Sequence, residues 1–384
     1  MQKLIRITTV PLSLEKLLEG QLTFMQSHYD VIAISSDKKR LQRFGDNNGV
    51  KTHSLELTRK ITPYHDIKAV YHLYRFLKKE KPLIVHSHTP KAGIIGMLAA
   101  YFAKVPLRLH TVAGLPLMEV KGFKRLLLNF VEILTYRCAS RVYPNSRGLY
   151  DFIISENFTD SKKLKILGNG SSNGIDTTYF DPSFFTKQIV EEKRDSIGIA
   201  KNNFVFVFVG RLVKDKGVNE MVASFLALQK VIPNCNFLMV GPFENDLYPL
   251  EDHTKNIIDK HPNIIHTGYQ EDVRPFLAMS NVLVFPSYRE GFPNVVLQAA
   301  AMGLPSIVSD INGCNEIIED GYNGIVIPVK NQQSLYKAML KIIENKSLYE
   351  LLQKNSRTSV TTNYERMNMW QLLLEEYRNL ETNL

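Results

Sequence analysis

The chain has 384 residues, 44% of them hydrophobic and 22% charged, with a formal net charge of +9. That length exceeds what one hydrophobic core usually supports, so two domains are expected, and the composition excludes a disordered chain. Three widely spaced cysteines (Cys138, Cys235 and Cys314) exclude a disulfide framework, and no run approaches the roughly 20 apolar residues that span a bilayer.

The chain opens on a strand-like run, Leu4–Thr9, with none of the long apolar core of a leader peptide. Further β-branched runs follow at Val31–Ser35, Leu83–His86, Leu107–Thr111 and Arg141–Pro144. Helical patterns such as Asp66–Glu80 and Ala92–Lys104 lie between them, which reads as parallel α/β architecture. Gly168–Pro182 (GNGSSNGIDTTYFDP) breaks both periodicities and reads as a linker, placing a domain boundary near residue 180. A second α/β pattern then starts at Asn203–Gly210 (NFVFVFVG), apolar on both faces like a central parallel strand. Strands are expected at Asn236–Gly241, Ile264–Thr267, Val282–Pro286 and Ser306–Ser309, and Leu348–Leu384 reads as amphipathic helix. Charge divides with the domains. Residues 1–180 carry 27 Lys and Arg against 14 Asp and Glu, whereas residues 181–384 carry 20 against 24. The basic half is expected to meet something anionic.

Ligands of open parallel sheets bind beyond the carboxyl ends of the strands, so the informative residues follow each strand. After NFVFVFV comes Gly210-Arg211-Leu212-Val213-Lys214-Asp215-Lys216-Gly217, a turn with two cations suited to a diphosphate. Arg211 offers a forked guanidinium and Lys216 a mobile point charge; a merely basic solvated loop is the plainer alternative. After Val282–Pro286 comes Ser287-Tyr288-Arg289-Glu290-Gly291-Phe292-Pro293-Asn294, running into a helix whose first turn suits an anion. Glu290 would repel phosphate there and is better matched to the neutral hydroxyls of a sugar. A third loop, Thr267–Val273, could hold a nucleobase against Tyr269 and the backbone of Gln270, or could simply cap a helix.

GRLVKDKG, SYREGFPNVVLQAAAMGLPSIVSDINGCNEII, NGIDTTYF, HSHTPKAGIIGMLAA and RLHTVAGLP together resemble the retaining glycosyltransferases of family 4. The resemblance implies the GT-B fold, two Rossmann-like domains facing across a cleft, and a hexosyltransferase-type enzyme that uses a nucleotide diphosphate sugar. It implies an acceptor-side domain over 1–180 and a donor domain over 181–365, with a last helix, about 366–384, returning to the first domain. It assigns Arg211 and Lys216 to the donor diphosphate and Glu290, the first acid of a Glu-x7-Glu motif, to the sugar hydroxyls. Gly210, Gly291, Phe292, Pro293 and Asn294 would line the donor, joined by Tyr269 and Gln270. The second acid of the motif is replaced by Gln298, which can still bond a ribose diol, at a cost of about 1–2 kcal/mol. His110 aligns with a histidine near the sugar, or is a satisfied structural histidine, and Gly20 would bring backbone close to the donor from the first domain, or is a structural glycine at a helix start.

No cofactor and no catalytic metal are expected, because Arg211 and Lys216 take the role of a metal and the Asp-x-Asp pattern is absent. His86 and His88 form a pair without a third ligand. The donor is expected to be a UDP-linked hexose or N-acetylhexosamine. The acceptor is expected to be a lipid diphosphate-linked or other glycan, in bacterial capsule or O-antigen polysaccharide synthesis. A cytoplasmic protein touching the inner face of the membrane is expected. Lys121–Arg137 (KGFKRLLLNFVEILTYR) would lie in the headgroup layer beside anionic lipids, or else pack as an ordinary helix. Rival readings are an enzyme of this fold with a soluble product, and a silent nucleotide-sugar-binding module. Nucleic acid is not expected, since no aromatic residues interleave with the basic ones.

Overall fold

The computed structural model describes residues 1–58, 62–115, 117, 120–244 and 249–384; Pro116, in the RLHTVAGLP segment, lies outside them. Two parallel sheets form. The first is built from β1 (Lys3–Ile7), β2 (Asp30–Ser35), β3 (Lys51–Ser54), β4 (Ile84–His88), β5 (Leu107–Val112) and β6 (Arg141–Pro144). The second contains β7 (Phe204–Val209), β8 (Cys235–Val240), β9 (Ile264–Gly268), β10 (Val282–Phe285), β11 (Ser306–Ser309) and β12 (Gly324–Ile327). Their spatial orders are β3-β2-β1-β4-β5-β6 and β12-β11-β10-β7-β8-β9. Counted from its own first strand, each sheet has the same order, 3-2-1-4-5-6, so both are doubly wound Rossmann-like domains.

The strands are where their burial needs them. In β7 the four central residues of FVFVFV are buried on both faces, and Val205 to Phe208 enter one large core with Val282–Phe285. In β1, Ile5 and Ile7 enter one core while Leu4 enters another on the opposite face, the two-residue alternation of a strand covered on both sides.

The chain divides into a unit of Met1–Asn173 with Met367–Leu384 and a unit of Gly174–Arg366. The C-terminal segment is two helices, Lys346–Asn363 and Arg366–Thr382. The break falls where Glu365 leaves the helix to pair with Ile175 and to accept from the Thr177 hydroxyl. The second helix completes the first unit: its Leu373, Leu374 and Tyr377 share a core with Leu4, Val31 and Leu109.

Candidate functional site

In the second unit, β7 and β10 are adjacent, pairing Phe206 with Val282 and Val207 with Leu283, although two strands, β8 and β9, lie between them in sequence order. The sheet reverses its winding there, and such a switch point opens a crevice at the strand ends. The two loops that the sequence singled out leave from these two strands.

Each loop is tied to the other. After β7 the chain makes a short turn, Lys214–Lys216, closed by Gly217 at φ 71°. A Cβ on Gly217 would lie 2.3 Å from the Pro286 carbonyl oxygen, so only glycine lets this turn reach the end of β10. The Asp215 carbonyl accepts from the Tyr288 backbone N–H at 2.9 Å and from the Ser287 hydroxyl at 3.3 Å. The Asp215 carboxylate also faces the Arg289 guanidinium at 3.3 Å. These bonds bring Lys216 and Glu290 into an ion pair, with both side chains about one-sixth exposed. The Lys216 ammonium also stands 5.4 Å from the centre of the Phe285 ring. A second support lies behind Glu290. A Cβ on Gly313, whose φ is 72°, would meet the Gly291 carbonyl oxygen at 2.5 Å. The helix Asn294–Ala301 follows, with Pro293 at its N-cap.

Arg211 pairs with Glu244 and is half exposed. Gln298 is half-buried, one turn into the helix. Gly210 closes β7 onto its neighbour, its N–H donating to the Val240 carbonyl at 2.9 Å. Gly291 and Asn294 are half-buried, and Phe292 and Pro293 are buried. In the third loop Tyr269 is 68% exposed, while the Gln270 amide turns back to the Thr267 carbonyl at 2.9 Å. Sequence reading passed over Asp215 and Gly313. A glycine pair in DKG and NGCN was the available signal, but only packing shows what each glycine touches.

The first unit treats its candidates differently. His110, in β5, is 2% exposed, with Nδ1 2.9 Å from the Ser87 hydroxyl and its ring filling the space over Gly93. Burial pushes its pKa down to about 4, so the imidazole is neutral at pH 7. Its Nδ1 side is thus tied into its own unit through Ser87. Gly20 adopts φ 75°, and the space for its Cβ is occupied by the Trp370 indole at 2.7 Å. Its close approach is therefore to the returning helix. His86 and His88 are bonded to Tyr377, Thr111 and Arg6, and no metal-ligand cluster occurs among the described residues.

Lys121–Arg137 is helical, as Gly122–Cys138 with Lys121 at its N-cap. Phe123, Leu126, Phe130 and Ile133 on it are exposed, Phe123 by 83%. Arg125 turns away from that face to pair with Glu156 at 2.8 Å. No helix among the described residues is long and apolar enough to cross a membrane.

Comparison with known proteins agrees with this architecture. Residues 189–359 match the family Glycosyl transferases group 1, and residues 24–170 match the Glycosyl transferase 4-like domain. The chain is 33% identical to the capsular polysaccharide biosynthesis glycosyltransferase CapM of Staphylococcus aureus, over 98% of this chain and 97% of that protein. It is 30% identical to an Escherichia coli UDP-Gal:alpha-D-GlcNAc-diphosphoundecaprenol alpha-1,3-galactosyltransferase, over 88% of this chain and 85% of that one. Among solved structures, Anabaena HepE in complex with UDP and glucose superposes with a TM-score of 0.82 at 17% identity, covering 99% of this chain and 100% of that one.

Proposed function

The chain belongs to the group 1 glycosyl transferases, and on that premise we propose a retaining, metal-independent hexosyltransferase that uses a UDP-sugar. The sugar is a hexose or N-acetylhexosamine, and the acceptor a lipid diphosphate-linked glycan of a bacterial surface polysaccharide. The observation that carries the reading is the convergence of Lys216 and Glu290 at the switch point of the second sheet. A cation for a leaving phosphate and a carboxylate for sugar hydroxyls then stand side by side. The relatives support the acceptor class: the E. coli protein is named for a diphosphoundecaprenol-linked acceptor.

In the reaction the bond from the anomeric carbon to the UDP β-phosphate oxygen breaks as the acceptor oxygen bonds the same carbon. The acceptor proton passes to a phosphate oxygen of the departing UDP. Negative charge grows on the diphosphate, where Arg211, Lys216 and the helix start at Asn294 are assigned to meet it. Glu244 and Glu290 hold the two cations until the donor arrives. Glu290 then turns to the sugar hydroxyls, the backbone at 291–294 lines sugar and phosphate, and Gln298 holds the ribose. Tyr269 and Gln270 flank the base. Residues 1–180 with the returning helix form the acceptor side, and 181–365 the donor side.

The exposed face of the helix Gly122–Cys138 suits an interfacial role, apolar residues down with Lys121 and Lys124 toward anionic headgroups. Co-sedimentation with anionic vesicles tests this; equal recovery of Phe123→Ser and wild-type protein would remove it. The activity itself is tested with a panel of nucleotide sugars. A cognate donor at 100 times its dissociation constant should stabilise the fold by about 2.7 kcal/mol and release UDP when acceptor is added. Protection by none of the UDP-sugars would overturn the donor assignment.

A further inference from the structure

Arg6 is fully buried in β1, and among the described residues none of its hydrogen-bond partners is a carboxylate. Its guanidinium donates to the Tyr377 hydroxyl at 2.9 Å, to the Gln21 side-chain oxygen at 2.5 Å and to His88 Nε2 at 2.7 Å. Because arginine can only donate, its contact with His88 fixes that ring's tautomer. His88 must accept at Nε2, so its single proton sits on Nδ1. Tyr377 accepts from Arg6 and shares a hydrogen bond with His86 Nδ1 at 2.6 Å, and His86 Nε2 lies 2.8 Å from the Thr111 hydroxyl. Burial and the adjacent cation hold both histidines well below their ordinary pKa, consistent with neutral rings.

Beyond His88 lies a cavity of about 20 Å³ at the carboxyl ends of β4, β5 and β6, walled by His88, Thr111, Asn145 and Ser172 and covered by Met369 and Leu373. Three buried polar atoms on its wall have no protein partner: His88 Nδ1, Asn145 Oδ1 and Ser172 Oγ. His88 and Asn145 are 2% and 5% exposed. The wall therefore presents one obligatory donor, one acceptor and one hydroxyl able to do either. An anion would meet the Asn145 oxygen and a cation would meet the His88 N–H, so either ion faces one wall of the wrong polarity. A single water can accept from His88, donate to Asn145 and bond Ser172, and its centre needs only roughly 10–15 Å³.

We propose that this cavity is a single-water site, which fastens Ser172 to the strand ends at His88 and Asn145. Its place gives it a task. Ser172 stands just before the chain leaves this unit at Asn173. The Ser172 carbonyl already accepts from the Gln21 amide at 3.1 Å, and the Asn173 side-chain oxygen accepts from Trp370 Nε1 at 2.7 Å. The Ser171 N–H also donates to the Asn145 carbonyl at 2.8 Å, and the water adds a side-chain tie from Ser172 beside it.

A high-resolution crystal structure of the full chain tests the site directly. One water should lie about 3 Å from all three atoms, with no anomalous peak there after a bromide soak. An anomalous peak, or no density at that place, would overturn the proposal. Ser172→Val gives a second readout in solution through the sign of its effect. Filling a water site with a methyl group strands the His88 N–H and the Asn145 oxygen, so the melting temperature should fall by about 2–4 °C. A rise in melting temperature would mean that the valine had filled a dry void, and would sink the inference.

Discussion

The two units share one strand order and use it for opposite purposes. In the second unit, the loops at the switch point of the sheet carry Arg211 half-exposed and Lys216 and Glu290 about one-sixth exposed, each in an ion pair. In the first unit the polar residues near the strand ends, Arg6, His86, His88 and His110, are between 0% and 2% exposed and bonded to one another or to neighbouring side chains. The returning helix contributes to this, because its Tyr377 bonds both Arg6 and His86. The same strand order thus carries partly exposed ion pairs at the strand ends of one sheet and a buried polar cluster at those of the other.

The largest effect should separate the two units outright. Arg211→Ala and Glu290→Ala are each expected to lower kcat/KM by roughly 10²–10³-fold, the usual loss when a group aimed at developing transition-state charge is removed, while the melting temperature hardly moves. Steady-state kinetics with UDP-sugar donor would check this, and turnover within twofold of wild type in either variant would detach the site from the chemistry.

The next effect belongs to the first unit. Burial pushes the Glu132 carboxyl up to about 7, against the pull of the Tyr136 hydroxyl. The unfolded carboxyl ionises near 4.5, so between these values the folded chain keeps a proton that the unfolded chain has lost. Stability therefore falls as pH rises through that window, and the loss is complete above pH 7. Glu132→Gln carries no such penalty and should be more stable than wild type at pH 8, by on the order of 2–3 kcal/mol, and nearly equal to it at pH 4.5. The buried histidines titrate alike in both proteins, so the difference isolates Glu132. Denaturant melts at the two pH values would expose an error if the variant were weaker at pH 8. The smallest effect is at the altered motif position: Gln298→Glu should tighten UDP-sugar binding by up to about tenfold, and calorimetry showing weaker binding would contradict the ribose assignment.

Much of this architecture was legible in the residues, because central parallel strands must be apolar on both faces and NFVFVFVG announces one. Two of the four edge strands, β3 and β12, were not. KTHS in β3 has no buried residue and GIVI in β12 is short, so neither leaves a periodic signal. The motif loops of the second unit could be read because chemistry fixes their residue types. His110 and Gly20 looked similar in sequence, yet their surroundings come from Gly93 and Trp370, residues distant in the chain. The same holds for the break at Tyr364–Glu365, set by a pairing with Ile175 that no local pattern reveals.

The central claim is that the switch point of the second sheet receives the donor diphosphate, and a crystal structure of the chain with UDP tests it most directly. The account predicts diphosphate oxygens about 3 Å from the Arg211 guanidinium and the Lys216 ammonium, with the Lys216–Glu290 and Arg211–Glu244 pairs opened. UDP seated elsewhere, with both pairs intact, would contradict it.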